Sequence, residues 1–386
     1  MKRYFPLFFI ILFFSVFPLA ADDIPPFVMP SSRASGFGGI HVAMGDDFSS
    51  IFSNPASFAG IKKQLSVAEI TVGVYGPVFE LLDTAVAEGG DVTQVINSEN
   101  FTAGFDIGGP ISVGLVNNGF GVGFFNRSVL DIKTVAASSF IPGFVPVPGV
   151  IDDFYIMIPK AWEEILFVGG YSFRVLDRRN FSFDIGILGK AFYRTMLDLQ
   201  ANADDLYALV GDAFDMPLQT HFGVGLDLGL RFCIADFLSL GLVYYDVYSP
   251  ALVTEYASFS DYGGSGTQSY AVVQPRLALG VLYRFKNNFL ERYISDIVLM
   301  ADYRDFFDLF KNQDRNGLLN LTLGIEITML KILKLRAGMS EILPSGGFGI
   351  DMTFLTMDVA VRGKQMGNKP GEKTVFAFDF GLLFRY

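Results

Sequence analysis

The side chains of this 386-residue chain that could carry chemistry are few and scattered. Its two histidines, His41 and His221, lie far apart in sequence, and neither has clustered partners at ligand spacing, so no metal site is expected. The run GFGVGF at 119–124 mimics a dinucleotide-binding fingerprint, but it sits in an alternating segment with no helix after it and is set aside. The acid pairs Asp22-Asp23, Asp152-Asp153 and Asp204-Asp205 read as solvated segments. No nucleophile stands at a useful spacing from a base, so neither an enzyme nor a cofactor is expected. Charge does recur in a pattern. Lys190, Arg194, Arg276, Arg284, Arg304, Arg336 and Arg362 fall on one face of alternating segments, shared with Asp184, Asp227, Asp302, Glu326, Asp351 and Asp379. Cations and carboxylates on one face read first as structural ion pairs.

Composition narrows which elements position these charges. The chain opens MKRYFPLFFIILFFSVFPLAADD: Lys2 and Arg3, an apolar core from Phe5 to Leu19, then Ala20 and Ala21, which reads as a signal peptide over residues 1–21. No later apolar run approaches the roughly twenty residues of a spanning helix. Yet only 18% of residues are charged, where a soluble domain carries about a quarter. An exported chain too apolar for water and lacking spanning helices is expected to be a transmembrane β-barrel, the other fold that satisfies its backbone in lipid. The single Cys233 excludes an internal disulfide, and the net charge of −11 with no basic stretch argues against nucleic acid.

Strand periodicity supports this. Phe222, Val224, Leu226, Leu228, Leu230 and Phe232 alternate with His221, Gly223, Gly225, Asp227, Gly229 and Arg231, and residues 181–198 and 319–328 do likewise. A soluble β-sandwich would carry Lys, Glu and Thr on its second face; here that face is glycine with sparse charge. The expected strands are 65–76, 106–117, 119–134, 163–176, 181–198, 219–233, 237–249, 272–286, 294–304, 318–330, 333–341, 347–354, 356–364 and 374–386, an antiparallel barrel of fourteen over residues 64–386. Short connections such as Asn117–Asn118 alternate with long ones, notably 135–162, 199–218 and 250–271, the rhythm of periplasmic turns and extracellular loops. The last strand, TVFAFDFGLLFRY, ends Gly381-x-x-Phe384-x-Tyr386, which resembles the terminal signal read by the barrel assembly machinery.

Residues 22–63 precede the first strand and are too apolar to be left unpacked. Phe48, Ile51 and Phe52 at i, i+3, i+4 predict one or two helical turns from Asp46 or Asp47, ended by Asn54-Pro55. Gly36, Gly38 and Gly39 permit close approach to a wall. A fourteen-strand lumen is too wide for its own side chains to close, so this segment is expected to fill it as a hatch. The spacing Arg33-Ala34-x-Gly36-x-Gly38-Gly39-x-x-x-Ala43-x-x-Asp46-Asp47-x-x-x-Ile51-x-x-Asn54-Pro55-Ala56 resembles the N-terminal hatch of FadL-type outer-membrane transporters of long-chain fatty acids, and is similar to an expanded set of spirochaete outer-membrane proteins like them. In motif the resemblance covers residues 33–56; beyond them it is architectural.

The resemblance implies passive uptake of a hydrophobic small molecule from the outer-membrane surface. The ligand would be caught among apolar loops, pass a pocket near the hatch, and leave sideways through a kink in the third strand. The hatch and gate would be Gly36, Gly38, Gly39, Asn54, Pro55 and Ala56. The kink is expected between Gly121 and Ser128, at Gly121, Gly123 and Asn126, since a polar Asn126-Arg127-Ser128 is costly on a regular lipid-facing wall. A fatty-acid head group would meet Lys190 or Arg194. The apolar, proline-rich stretch 140–162, with Phe140, Phe144, Val147, Phe154 and Trp162, is the expected capture loop, and Phe79, Leu81, Leu82 and Val86 its companion. The alternative is a surface-exposed interaction barrel that binds ligands or host molecules, or shuttles secreted proteins, without lipid transport. A general hydrophilic porin conflicts with the plug.

Overall fold

The computed structural model describes residues 22–39, 41–45, 48–78, 101–136, 155–198, 201–202, 216–285, 293–311 and 315–386. A short strand β1 (Asp22–Ile24), helices α1 (Ser32–Gly36) and α2 (Ser50–Ser53) and a 3-10 turn (Pro55–Gly60) come before the wall. The wall begins with β2 (Gln64–Tyr75), β3 (Thr102–Gly108), β4 (Val113–Asn117), β5 (Phe120–Ala136), β6 (Tyr155–Arg178) and β7 (Phe181–Asp198). It continues through β8 (Ala201–Asn202), β9 (Leu218–Ile234), β10 (Leu238–Tyr248), β11 (Pro250–Tyr256), β12 (Thr267–Val273) and β13 (Arg276–Phe285). It ends with β14 (Ile294–Tyr303), β15 (Leu321–Met329), β16 (Leu333–Ser340), β17 (Leu343–Asp351), β18 (Leu355–Gln365) and β19 (Thr374–Arg385). Every wall strand is antiparallel to its neighbours, and β19 pairs with β2 to close the sheet. Because β3 with β4, β7 with β8, β10 with β11, and β12 with β13 each form one wall strand, the barrel has fourteen. Closure leaves no open sheet edge.

The partition of side chains is the reverse of a soluble protein's. Phe167, Phe173, Val224 and Val361 are about half exposed on the outside, while Glu164, Asp184, Asp227, Asp302, Glu326, Arg336 and Asp379 are buried inside. No helix among the described residues is long and apolar enough to cross a membrane; the strands supply the apolar exterior.

The inward glycines have a steric reason. A Cβ on Gly186 would fall on the Pro55–Ala56 backbone, on Gly229 against Asn54 Oδ1, on Gly241 against the Val42 carbonyl, and on Gly338 against Phe37. The wall is bare where the N-terminal segment presses its backbone against it. From the segment's side, Gly38 has φ +94° and touches the Leu323 and Met339 carbonyls, a place no larger residue could take.

Three departures from the sequence expectations have physical causes. Residues 250–271, expected as a loop, hold β11 and β12, whose hairpin continues the wall beside β9 and accepts β1 in parallel along Ala271–Val273. Trp162, expected in a loop, lies within β6 between Val129 and Met196, because β5 and β6 pair without interruption up to Ala136 and Tyr155. The strand at 119–134, where a kink is expected between Gly121 and Ser128, keeps one register with β6 over its full length. The break lies one strand earlier, where four residues between β3 and β4 (Gly109–Ser112) face only Phe125 and Asn126. Pro110 offers no N–H to a ladder and Gly109 has φ +84°, so neither can continue the strand. Across the break, Val67–Ile70 of β2 pair with neither β3 nor β4.

Candidate functional site

The N-terminal segment packs against the inner wall and is held there by side-chain clamps. Asn54 is fully buried: its Nδ2 donates to the carbonyls of Val42 (2.8 Å) and Leu230 (3.1 Å), and its Oδ1 accepts from Ala56 N–H (3.0 Å). One side chain therefore ties two parts of the segment to β9. Pro55 opens the 3-10 turn, whose Phe58 seats on Gly121. Arg33 on α1 pairs with Glu326 at 3.1 Å, which also takes Arg336 at 2.7 Å, and Arg336 reaches Asp358 at 2.5 Å. His41 Nδ1 meets Asp302, whose second oxygen accepts from Val42 N–H at 2.8 Å. Asp46 and Asp47 lie outside the described residues; α2 begins at Ser50 and Asn54 ends it in an extended conformation.

Above α1 lies a cavity of about 290 Å³, and below it one of about 170 Å³; both reach Ser31. The lower cavity is charged, lined by Arg33, Glu69, Lys334, Arg336, Asp351 and Arg385. The upper is apolar on much of its surface, with Phe27, Met29 and Phe52 from the segment and Leu166, Val168 and Leu188 from the wall. Its cations are Arg127, Lys190, Arg276, Arg304 and Arg362. Arg127 meets both oxygens of Asp106 at 2.8 Å, and Lys190 lies 2.8 Å from Asp227 and 2.5 Å from Asp246. Arg304 lies 3.1 Å from Glu341, and Arg362 2.8 Å from Asp379. Arg276 is held most loosely: Asp246 is 3.7 Å away, the guanidinium lies over the Tyr245 ring, and its Nε has no hydrogen-bond partner.

Lys190 is thus at the cavity but neutralised twice. Arg194 is buried outside the cavity lining against Glu164 and the Pro25 carbonyl, with Nε and Nη1 unpartnered. Phe140, Phe144, Val147 and Phe154, with Phe79, Leu81, Leu82 and Val86, lie outside the described residues. Gly121 and Gly123 face inward under Phe58 and Phe125, and Asn126 faces outward at the break.

The residues that join cavity to break were not singled out in the sequence. Met29 and Pro30 line the upper cavity and press on Gly108, the last residue of β3, where a Cβ would lie 2.8 Å from each. Met29 is 3% exposed. Nothing local in "FVMPSS" marks these two for that position; their place follows from where β3 ends. This arrangement can take up an apolar body and set a polar end near Arg276.

No family model and no curated protein matches the chain. Among solved structures it is similar to the toluene transporter TodX of Pseudomonas putida, at 10% identity and a TM-score of 0.49 over 94% of this chain and 99% of that one. It is also similar to a FadL homologue of Pseudomonas aeruginosa, at 15% and 0.46 over 95% and 99%. The toluene transporter TbuX of Ralstonia pickettii is similar at 14% and 0.46 over 92% and 98%.

Proposed function

We propose that this chain is an outer-membrane barrel for passive uptake of hydrophobic compounds, with the segment 22–63 as hatch. Long-chain fatty acids are the class the sequence resemblance favours. The ligand exchanges water for the apolar upper cavity, and displacement of residues 27–31 then joins that cavity to the break at Gly109–Ser112 and lets the ligand leave sideways into lipid. One observation carries this reading: Met29 and Pro30 sit between the cavity and Gly109–Ser112, wall residues that lack ladder partners on both facing strands. No energy-coupling step is needed, because transfer of apolar surface from water provides the driving force at about 25 cal/mol per Å².

The test pins the stopper. Cysteines at Pro30→Cys and Gly108→Cys, oxidised to a disulfide, hold the segment against the wall in a host lacking its own fatty-acid transporter. Uptake of labelled long-chain fatty acid is expected to stop on oxidation and return on reduction. Uptake unchanged by the cross-link would rule out this route. A folded, surface-exposed barrel with no uptake in either state would favour the interaction-barrel alternative.

A further inference from the structure

On β5, Phe125 packs against Phe48 and Phe52 and Arg127 lines the cavity, so Asn126 and Ser128 between and beyond them face outward. Along that outer face Phe124 precedes them and Leu130 follows, which makes them a polar inclusion in an apolar surface. The cross-strand neighbour of Ser128 is Glu163 on β6, exposed, with Ile165, Phe167 and Phe173 further along the same outer face. Asn126 Nδ2 donates to one Glu163 oxygen (3.2 Å) and Ser128 Oγ to the other. Asn126 also serves the break directly, since its Oδ1 accepts from Ile111 N–H (3.0 Å) and its carbonyl from Gly109 N–H (3.0 Å). A carboxylate on the outer wall of a barrel is unfavourable unless hydrogen-bond donors meet it. Two donors hold Glu163 in place, and a carboxylate has further lone pairs with which to accept.

The cavity poses a complementary condition. Each of its cations faces a carboxylate of the wall, so an anionic head group would have to break a pair and leave a buried carboxylate behind, which is costly. Among the described residues that line it, Arg276 Nε is a buried donor without a partner and asks only for an acceptor oxygen.

We propose that Glu163, set by Asn126 and Ser128, is an acceptor station at the outer lip of the wall break, and that the permeant carries an uncharged hydroxyl-type head: an alcohol, a phenol or a protonated carboxylic acid on an apolar body. Such a head accepts from Arg276 inside and donates to Glu163 on leaving, whereas a carboxylate can do the first but is repelled at the second. The proposal rests on the lateral-uptake reading and names its substrate class.

The experiment measures uptake of labelled dodecanol, dodecanoate and dodecane by the full chain and by Glu163→Leu, with Ser128→Val as the second, milder variant. Heat-modifiable gel mobility establishes that each barrel is folded. The expected result is a loss of about tenfold in dodecanol uptake for Glu163→Leu, the scale of one hydrogen bond to a charged group, with dodecane unchanged. Dodecanoate uptake is expected to fall as the external pH rises and the acid ionises. Dodecanol and dodecane falling together, dodecanol unaffected, or dodecanoate uptake flat with pH would each overturn the acceptor station while leaving lateral uptake standing. No uptake of any of the three by the unaltered chain would overturn the uptake reading, and the station with it.

Discussion

Asn54 shows how much one side chain can settle. Its three hydrogen bonds are all to backbone groups in the buried interior, so its loss exposes a cost as well as removing a gain. Asn54→Ala leaves the Val42 carbonyl and the Ala56 N–H without this partner; about 2–4 kcal/mol of docking of the N-terminal segment is expected to be lost, read as protease sensitivity of residues 22–63 in the folded barrel. Asn54→Asp should be worse, because a carboxylate would face the Val42 and Leu230 carbonyls with no donor for either. Equal protease resistance in all three forms would show that the other clamps suffice. Gly229 is the matching residue across the interface: Gly229→Ala would drive a methyl into Asn54 Oδ1 and should produce the same sensitivity from the wall side.

Among the elements, the second wall strand decides whether there is a route through the wall. β3 and β4 are in register with β5 on either side of the break, and the excess between them is two residues, four against two. Deleting Pro110 and Ile111 removes that excess without turning any later side chain to the other face, because the strand period is two. The shortened strand is expected to pair continuously with β5, raise the denaturation midpoint of the barrel, and lose uptake. Retained uptake in a barrel of raised stability would separate the break from transport. The irregularity was assigned from sequence to residues 121–128 because Gly121, Gly123 and Asn126 look like the residues of a bend. In the structure those glycines make room for Phe58 and Phe125, and Asn126 is the partner that ties down its neighbour's bulge. The signal for a polar device at Asn126 was present; the strand that breaks could not be told from it.

For the whole molecule, the barrel and its filling are separable in principle. Removing residues 22–63 is expected to leave a barrel with steady conductance in planar bilayers, while the intact chain stays closed; steady conductance of the intact chain would refute the plug. Alternation with period two, glycine and charge on the inner face, and the absence of a long apolar helix determined the fold class, the fourteen wall strands and most of their bounds, because lipid outside and a segment inside impose opposite demands on successive residues. The lumenal cations and carboxylates were also legible as one face. What the tertiary structure alone decided is pairing. It put Lys190 between two carboxylates, left Arg276 Nε without a partner, and brought Met29 and Pro30 to Gly108 across a long stretch of chain. It also set Glu163 beside Ser128 on the outer wall. Periodicity says which way a residue points; which neighbour it meets depends on register and closure around the whole barrel, and those are settled only when every strand has found its place.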